Sequence, residues 1–180
     1  MGVLARLVAV LAILGVGLGC ASTTLTNGVP NLHQVDDHVW RSGQITTAAG
    51  WAYVKGLGVT DVIKLNFVKE GSDDLAAAAG LVVHALPIQP EGDQDVWDDV
   101  AGTFLLPDRT NLETAQGLLV APGHIYLVHC TYGWDRTGRV IGEYRVRSAR
   151  WTKDRALKEA IHLGYHLELL GLLRSWEWVP

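Results

Sequence analysis

The chain has 180 residues, 48% of them apolar and 19% charged, and its 15 Lys and Arg against 19 Asp and Glu give a formal net charge of −4. That length suits one domain with a sizeable core, and the acidic balance lacks the basic footprint of a nucleic-acid binder. No internal repeat, long charge run or low-complexity tract marks a second domain.

The first twenty residues read as a targeting segment. Arg6 precedes an apolar run from Leu7 to Leu18, the size of a signal h-region and short of the roughly 20 residues a membrane span needs. Leu18-Gly19-Cys20 resembles the end of a bacterial lipoprotein signal, in which Cys20 becomes the lipidated first residue; it departs from that pattern at Gly17. A plain signal peptide and an uncleaved anchor are the alternatives. The expected organisation is therefore signal 1–20, tether 21–30 and a folded domain over 31–180, exported to the cell envelope and held to the membrane by a lipid. If Cys20 is lipidated, Cys130 is the only thiol left and no disulfide can form.

Downstream, strands and helices alternate. Val39-Trp40-Arg41 reads as a short edge strand, and Thr46 to Leu57 as a helix capped by Thr46 or Thr47 and closed by Gly58. Val59 to Phe67 is a buried strand. Ser72 or Asp73 caps a helix over 74–79, and strand 81–86 stops at Pro87. A helical stretch follows within 96–119, then strand 125–129, helix 137–149 and helix 153–163. This pattern predicts an α/β domain with a mostly parallel sheet covered by helices on both faces.

The most informative segment is His129-Cys130-Thr131-Tyr132-Gly133-Trp134-Asp135-Arg136-Thr137-Gly138, which follows the central strand and leads into a helix. A loop placed so turns its N–H groups toward a point at the helix N-terminus, where an anion is stabilised. The same field favours a thiolate at Cys130, and Arg136 offers a planar fork that matches two phosphate oxygens. The arrangement suits attack on phosphorus. A buried structural cysteine is the bland alternative.

His-Cys, five residues, Arg, then Thr resembles the signature loop of the cysteine-dependent protein-tyrosine and dual-specificity phosphatase superfamily. Val39-Trp40-Arg41-Ser42-Gly43-Gln44, Gly58 to Asn66, Trp151 to Ala156 and Gly164-Tyr165-His166 resemble further parts of its small bacterial exported members. The resemblance spans about residues 30 to 178. It implies a cysteinyl-phosphate intermediate on Cys130, with Arg136 and the amides of Thr131 to Asp135 holding the equatorial oxygens. It gives His129 and Gly138 supporting roles and needs neither cofactor nor metal. Thr137 is either a donor to the sulfur or a helix N-cap, and Asp135 is expected to point away from the anion and brace the loop.

The resemblance also implies a general acid on a separate loop about thirty residues before the cysteine. Asp93 is the first choice in that window, Asp95 the second, with Glu91 and Asp98 behind; a solvated acidic turn is the plain alternative. Trp97, Tyr132 and Trp134 are candidates for the pocket mouth. Arg41 is assigned to a structural turn rather than the phosphate pocket, and Arg139 to the solvated surface. The spacing of His162 and His166 is not assigned to a metal. With no lysine in the loop, the expected substrates are phosphorylated proteins or small phosphomonoesters, aryl esters first, with inositol phosphates or phosphoinositides as the alternative. A silent phosphate-binding module and a sulfur-transfer enzyme are alternatives of other classes.

Overall fold

A computed structural model describes residues 23–89, 97–98, 103–104 and 108–180, the two short segments 97–98 and 103–104 by backbone alone. The chain enters through a hairpin of β1 (Leu25–Thr26) and β2 (Val29–Pro30). Its turn residues Asn27 and Gly28 both have positive φ, 49° and 80°, the backbone sense that matches strand twist in tight hairpins. Val29 is fully buried against Ile45, Trp51 and Val54. Within the stretch expected as a tether, 21–30, Leu25 to Pro30 form this hairpin, because Val29, the residue right after the turn, has a core to enter.

Next come β3 (His33–Gln34) and β4 (Val39–Ser42), which pair antiparallel. Helix α1 (Ala48–Gly56) starts where Thr47 accepts a hydrogen bond from Gly50 N–H, as its sequence foretold. Strand β5 (Asp61–Lys64) is followed by a 3-10 turn at Val68–Glu70, helix α2 (Asp74–Ala78) and strand β6 (Val82–Ala85). A small hairpin, β7 (Trp97–Asp98) with β8 (Thr103–Phe104), occupies part of the segment read as helical. Helix α3 begins only at Arg109 and runs to Leu119, capped by Asp108, whose carboxylate accepts from Asn111 N–H. Then follow β9 (Tyr126–His129), α4 (Asp135–Ala149), α5 (Lys153–His162) and α6 (Leu170–Ser175).

The main sheet has the order β3-β4-β9-β5-β6, with every pair parallel except β3 and β4. The strand containing Val39-Trp40-Arg41 was expected at an edge; it lies inside, between β3 and β9, because the hairpin partner β3 takes the outer position. Alternate residues of the inner strands serve opposite faces. Ile63 and Val128 enter the core under α3, α4 and α5, whereas Val62 and Leu127 enter the core under α1 and α2. The α/β class and the mostly parallel sheet match the sequence.

Helix α4 is buried along its first half, from Arg136 to Tyr144, because it lies between the sheet and α3, α5 and α6. Arg139 is therefore no surface residue. Its guanidinium is fully buried, pairs with Glu143 Oε2 at 2.7 Å and donates to the Ser175 hydroxyl at 2.7 Å and carbonyl at 2.9 Å.

A chain begun at residue 31 should be less stable in urea than one begun at residue 23, by about 1–3 kcal/mol for the burial of Val29 alone. Equal midpoints would show that the hairpin adds nothing to the domain.

Candidate active site

The carboxyl end of a central parallel strand is where open α/β sheets bind ligands. Here β9 ends at His129 and the chain makes the loop 130–134 before α4 starts. What shapes this loop lies outside it. Gln44 N–H donates to Thr131 O at 3.1 Å, Asn31 Nδ2 to Tyr132 O at 2.8 Å, and Arg41 Nη2 to Gly133 O at 2.6 Å. A longer contact, 3.5 Å, runs from Arg41 Nη2 to Trp134 O, which also accepts from Gly138 N–H at 2.7 Å.

In a planar trans peptide the C=O and the next N–H point in opposite directions. Pulling these four carbonyls outward therefore aims the N–H groups of Tyr132, Gly133, Trp134 and Asp135 inward. Those of Tyr132, Gly133 and Trp134 meet no acceptor among the described residues. The result is a cup of donors at a helix N-terminus. Gly133 has φ of 76°, and a Cβ there would overlap the Ser42 carbonyl, so no other residue lets the loop lie against β4.

Cys130 and Arg136 flank the cup, 3% and 5% exposed. Arg136 is clasped by a carboxylate that was not anticipated from the sequence, Glu70. Nη1 donates to Glu70 Oε2 at 2.8 Å and Nη2 to Glu70 Oε1 at 2.6 Å, while Thr131 Oγ1 donates to Glu70 Oε1 at 3.0 Å. Glu70 is itself fixed by Phe67 N–H at 2.8 Å. The bonds from Arg136 are the main reason that the Glu70 carboxyl is held down to about 2 from an ordinary 4.5. Burial alone would lower the pKa of Arg136; Glu70 and the negative charge of Cys130 raise it.

Behind the cup lies a buried polar network. His129, fully buried, shares a 2.7 Å hydrogen bond through Nε2 with Asp73 Oδ2, and Asp73 Oδ1 accepts from Gln44 Nε2 at 2.7 Å. Lys64 Nζ stands 3.7 Å from Asp73 Oδ1 and donates to Gly71 O at 2.6 Å, which ties the network to the turn bearing Glu70. Burial would raise the Asp73 carboxyl, but its bonds to His129 and Gln44 and the nearby Lys64 leave it below its ordinary value. Asp73 precedes α2 as expected, yet its side chain caps nothing; His129 takes it, and Ser72 Oγ accepts from Asp74 N–H instead.

Asp135 turns toward His166. Its Oδ1 accepts from His166 N–H at 2.7 Å and faces His166 Nδ1 at 3.0 Å, bracing the start of α4. Trp134 packs on His166 at 5.6 Å between ring centres and stacks with Tyr132 at 5.2 Å. Gly164, at φ 97°, leaves room for that indole: a Cβ there would sit 2.8 Å from Trp134 Cγ. Tyr132 remains 57% exposed beside the cup. Thr137 is not the N-cap, because α4 starts two residues earlier at Asp135. Its fully buried hydroxyl has no partner among the described residues. Gly138 lies in the first turns of α4, where Tyr165 packs over it.

Asp93, Asp95, Glu91 and Cys20 lie outside the described residues, and Asp98 and Trp97 are described only as backbone of β7.

Residues 31–142 match the model of a tyrosine phosphatase family. The chain belongs to that family. Its fold resembles three solved phosphatases. TpbA of P. aeruginosa superposes with a TM-score of 0.63 at 20% identity, over 91% of this chain and 92% of that one. The catalytic core of the PP-IP phosphatase SIW14 from S. cerevisiae gives 0.66 at 16%, over 87% and 89%. PTPMT1 gives 0.58 at 20%, over 82% and 94%. No curated protein matches the chain. The protein is a cysteine-dependent phosphatase, a hydrolase, and the matched residues include Cys130 and Arg136.

Glu70→Gln removes the charge that fixes Arg136 and should lower kcat/KM by roughly 10- to 100-fold, the worth of one charged hydrogen bond. Because the folded carboxyl is depressed, its contribution to stability is full above pH 4.5 and is lost as pH falls toward 2. Urea midpoints of wild type and Glu70→Gln should differ by a constant amount from pH 8 to 5 and converge below pH 4. A gap that persists at pH 2 would refute the pairing.

Proposed function

We propose that the protein hydrolyses aryl phosphate monoesters, phosphotyrosine among them, through a phosphocysteine at Cys130. In the first step the Cys130 thiolate attacks phosphorus and the P–O bond to the leaving group breaks. An acid, which we assign to Asp93 with Asp95 as the alternative, protonates the departing oxygen. In the second step water attacks phosphorus, the S–P bond breaks and phosphate leaves. The inward amides and Arg136 hold the equatorial oxygens through both steps. The observation that supports this reading is the row of outward-anchored carbonyls, which leaves the amides of the loop after Cys130 facing inward, as a tetrahedral oxyanion requires.

The choice of an aryl ester rests on the rim. Tyr132 offers an exposed ring backed by Trp134, and the loop from Cys130 to Arg136 contains no lysine to bind further phosphates. A TpbA variant crystallised in complex with pTyr shares this fold. Two other neighbours favour a second reading: SIW14 is named a PP-IP phosphatase, and PTPMT1 has been crystallised in complex with PI(5)P. An inositol phosphate or phosphoinositide is thus the alternative substrate. We further propose that the chain is exported and anchored through a lipid on Cys20.

The tests separate these parts. Cys130→Ser should reduce hydrolysis of p-nitrophenyl phosphate to the rate in buffer. Asp93→Asn should slow phenyl phosphate by about 100-fold or more and slow p-nitrophenyl phosphate far less, since the nitrophenolate leaves without help. Equal effects on both esters would move the acid elsewhere. A kcat/KM higher for an inositol phosphate than for a phosphotyrosine peptide would replace the aryl assignment. Labelled fatty acid carried by the wild type but not by Cys20→Ala would support the anchor.

A further inference from the structure

Arg41 presents a physical problem that the fold alone does not solve. Its side chain is buried at 2% exposure inside the sheet, on β4, where it pairs in register with Val128, two residues before Cys130. Of its donors only Nη2 is used, on the carbonyls of Gly133 and Trp134. Nε and Nη1 are buried and meet no acceptor among the described residues. The anions around it are committed elsewhere: Glu159 is held by Arg145 at 2.8 Å, and Asp135 by His166. No carboxylate among the described residues lies within ion-pair distance of it.

A buried guanidinium without a counter-charge costs several kcal/mol relative to an apolar side chain of the same size. Burial pushes the Arg41 guanidinium down to about 10, while Cys130 first, then Glu159 and Asp135, push it back up. On the adjacent strand His33 is lowered by burial first and by Arg41 second. The group nearest in role to a missing anion is therefore whatever negative charge occupies the cup above it.

We propose that Arg41 is a positioning residue for oxyanion capture. Its Nη2 donates to the carbonyls of Gly133 and Trp134 so that the amides of Trp134 and Asp135 face the cup, and its charge, which no carboxylate pairs at ion-pair distance among the described residues, is balanced when a phosphate-like dianion binds there. This inference rests on the phosphatase assignment above. It explains why a residue beneath the sheet is arginine rather than methionine or leucine, which would fill the same space without the cost of a buried charge.

The test compares the wild type, Arg41→Met and Arg41→Lys as full chains, by thermal melting with and without inorganic phosphate and by p-nitrophenyl phosphate turnover. The wild type should melt higher as phosphate is added. Arg41→Met should melt in phosphate-free buffer at or above the wild-type temperature, yet bind phosphate roughly 10- to 100-fold more weakly and lose most of the phosphate-dependent rise. Arg41→Lys keeps the charge but not the reach and fixed direction of Nη2, and should bind phosphate at least about threefold more weakly. A merely structural arginine gives the opposite: Arg41→Met melts lower without phosphate and keeps the full phosphate increment, which overturns the proposal. If Arg41→Met does not fold, wild-type phosphate affinity in Arg41→Lys overturns it instead. Failure of the wild type itself to hydrolyse the ester or respond to phosphate would sink the phosphatase assignment first, which keeps the two failures distinct.

Discussion

The site depends on one constraint: the carbonyl oxygens of the loop 131–134 are pulled outward by groups that belong to other parts of the chain. Gln44 N–H, Asn31 and Arg41 each hold one of them. Because the peptide is planar, that pull is what points the amides inward. An anion cup left to itself would be four like-oriented dipoles repelling one another, with no reason to keep its shape between substrates. Anchoring from behind removes that freedom before any phosphate arrives, so little reorganisation is left for the reaction. The stretch Arg41-Ser42-Gly43-Gln44 acquires its meaning here: one residue donates from the side chain, one from the backbone, and the pair between them lies flush against the loop.

The second tier has a similar logic. Glu70 fixes Arg136, Lys64 fixes the turn that follows Glu70, and Asp73 joins Lys64 to His129, the residue before Cys130. Such a network is costly when a member lacks a partner and rigid when all are satisfied. It also joins three strand ends: Gln44 after β4, Lys64 on β5 and His129 on β9. The sheet order β4-β9-β5 is the reason these three residues meet, since adjacent parallel strands deliver their carboxyl ends to the same edge.

Local features of the sequence were legible to the extent that their physics is local. The loop's glycine, its cysteine and arginine spacing, the strand before it and the cap Thr47 all act within a few residues of themselves. Glu70 was not legible, because it reaches Arg136 across 66 positions and no periodicity links them. Arg139 looked exposed because its charge suggested solvent; only the arrival of α6, with the Ser175 hydroxyl and carbonyl, makes a buried site for it. The segment before α3 was read as helix because its composition contains no strong strand pattern, and the hairpin of β7 and β8 is too short to impose one. The burial of Val29 was equally out of reach, because it depends on Trp51 and Val54, more than twenty residues on.

The arrangement of charge around the cup closes the account of why an acidic chain holds an anion. Net charge is −4 for the whole sequence, yet the charges nearest the loop are arranged pairwise: Arg136 with Glu70, Lys64 with Asp73, His166 with Asp135, Arg139 with Glu143. Paired charges cancel at a distance and exert little field on a ligand. Among the described residues, what lacks an ion-pair partner near the loop is the set of inward amides, the N-terminus of α4 and the guanidinium of Arg41, all positive and set in the interior, where their effect is little screened. The proposed preference for aryl monoesters rests on the same surroundings, since the rim presents the exposed Tyr132 ring backed by Trp134 and the loop carries no lysine for further phosphates.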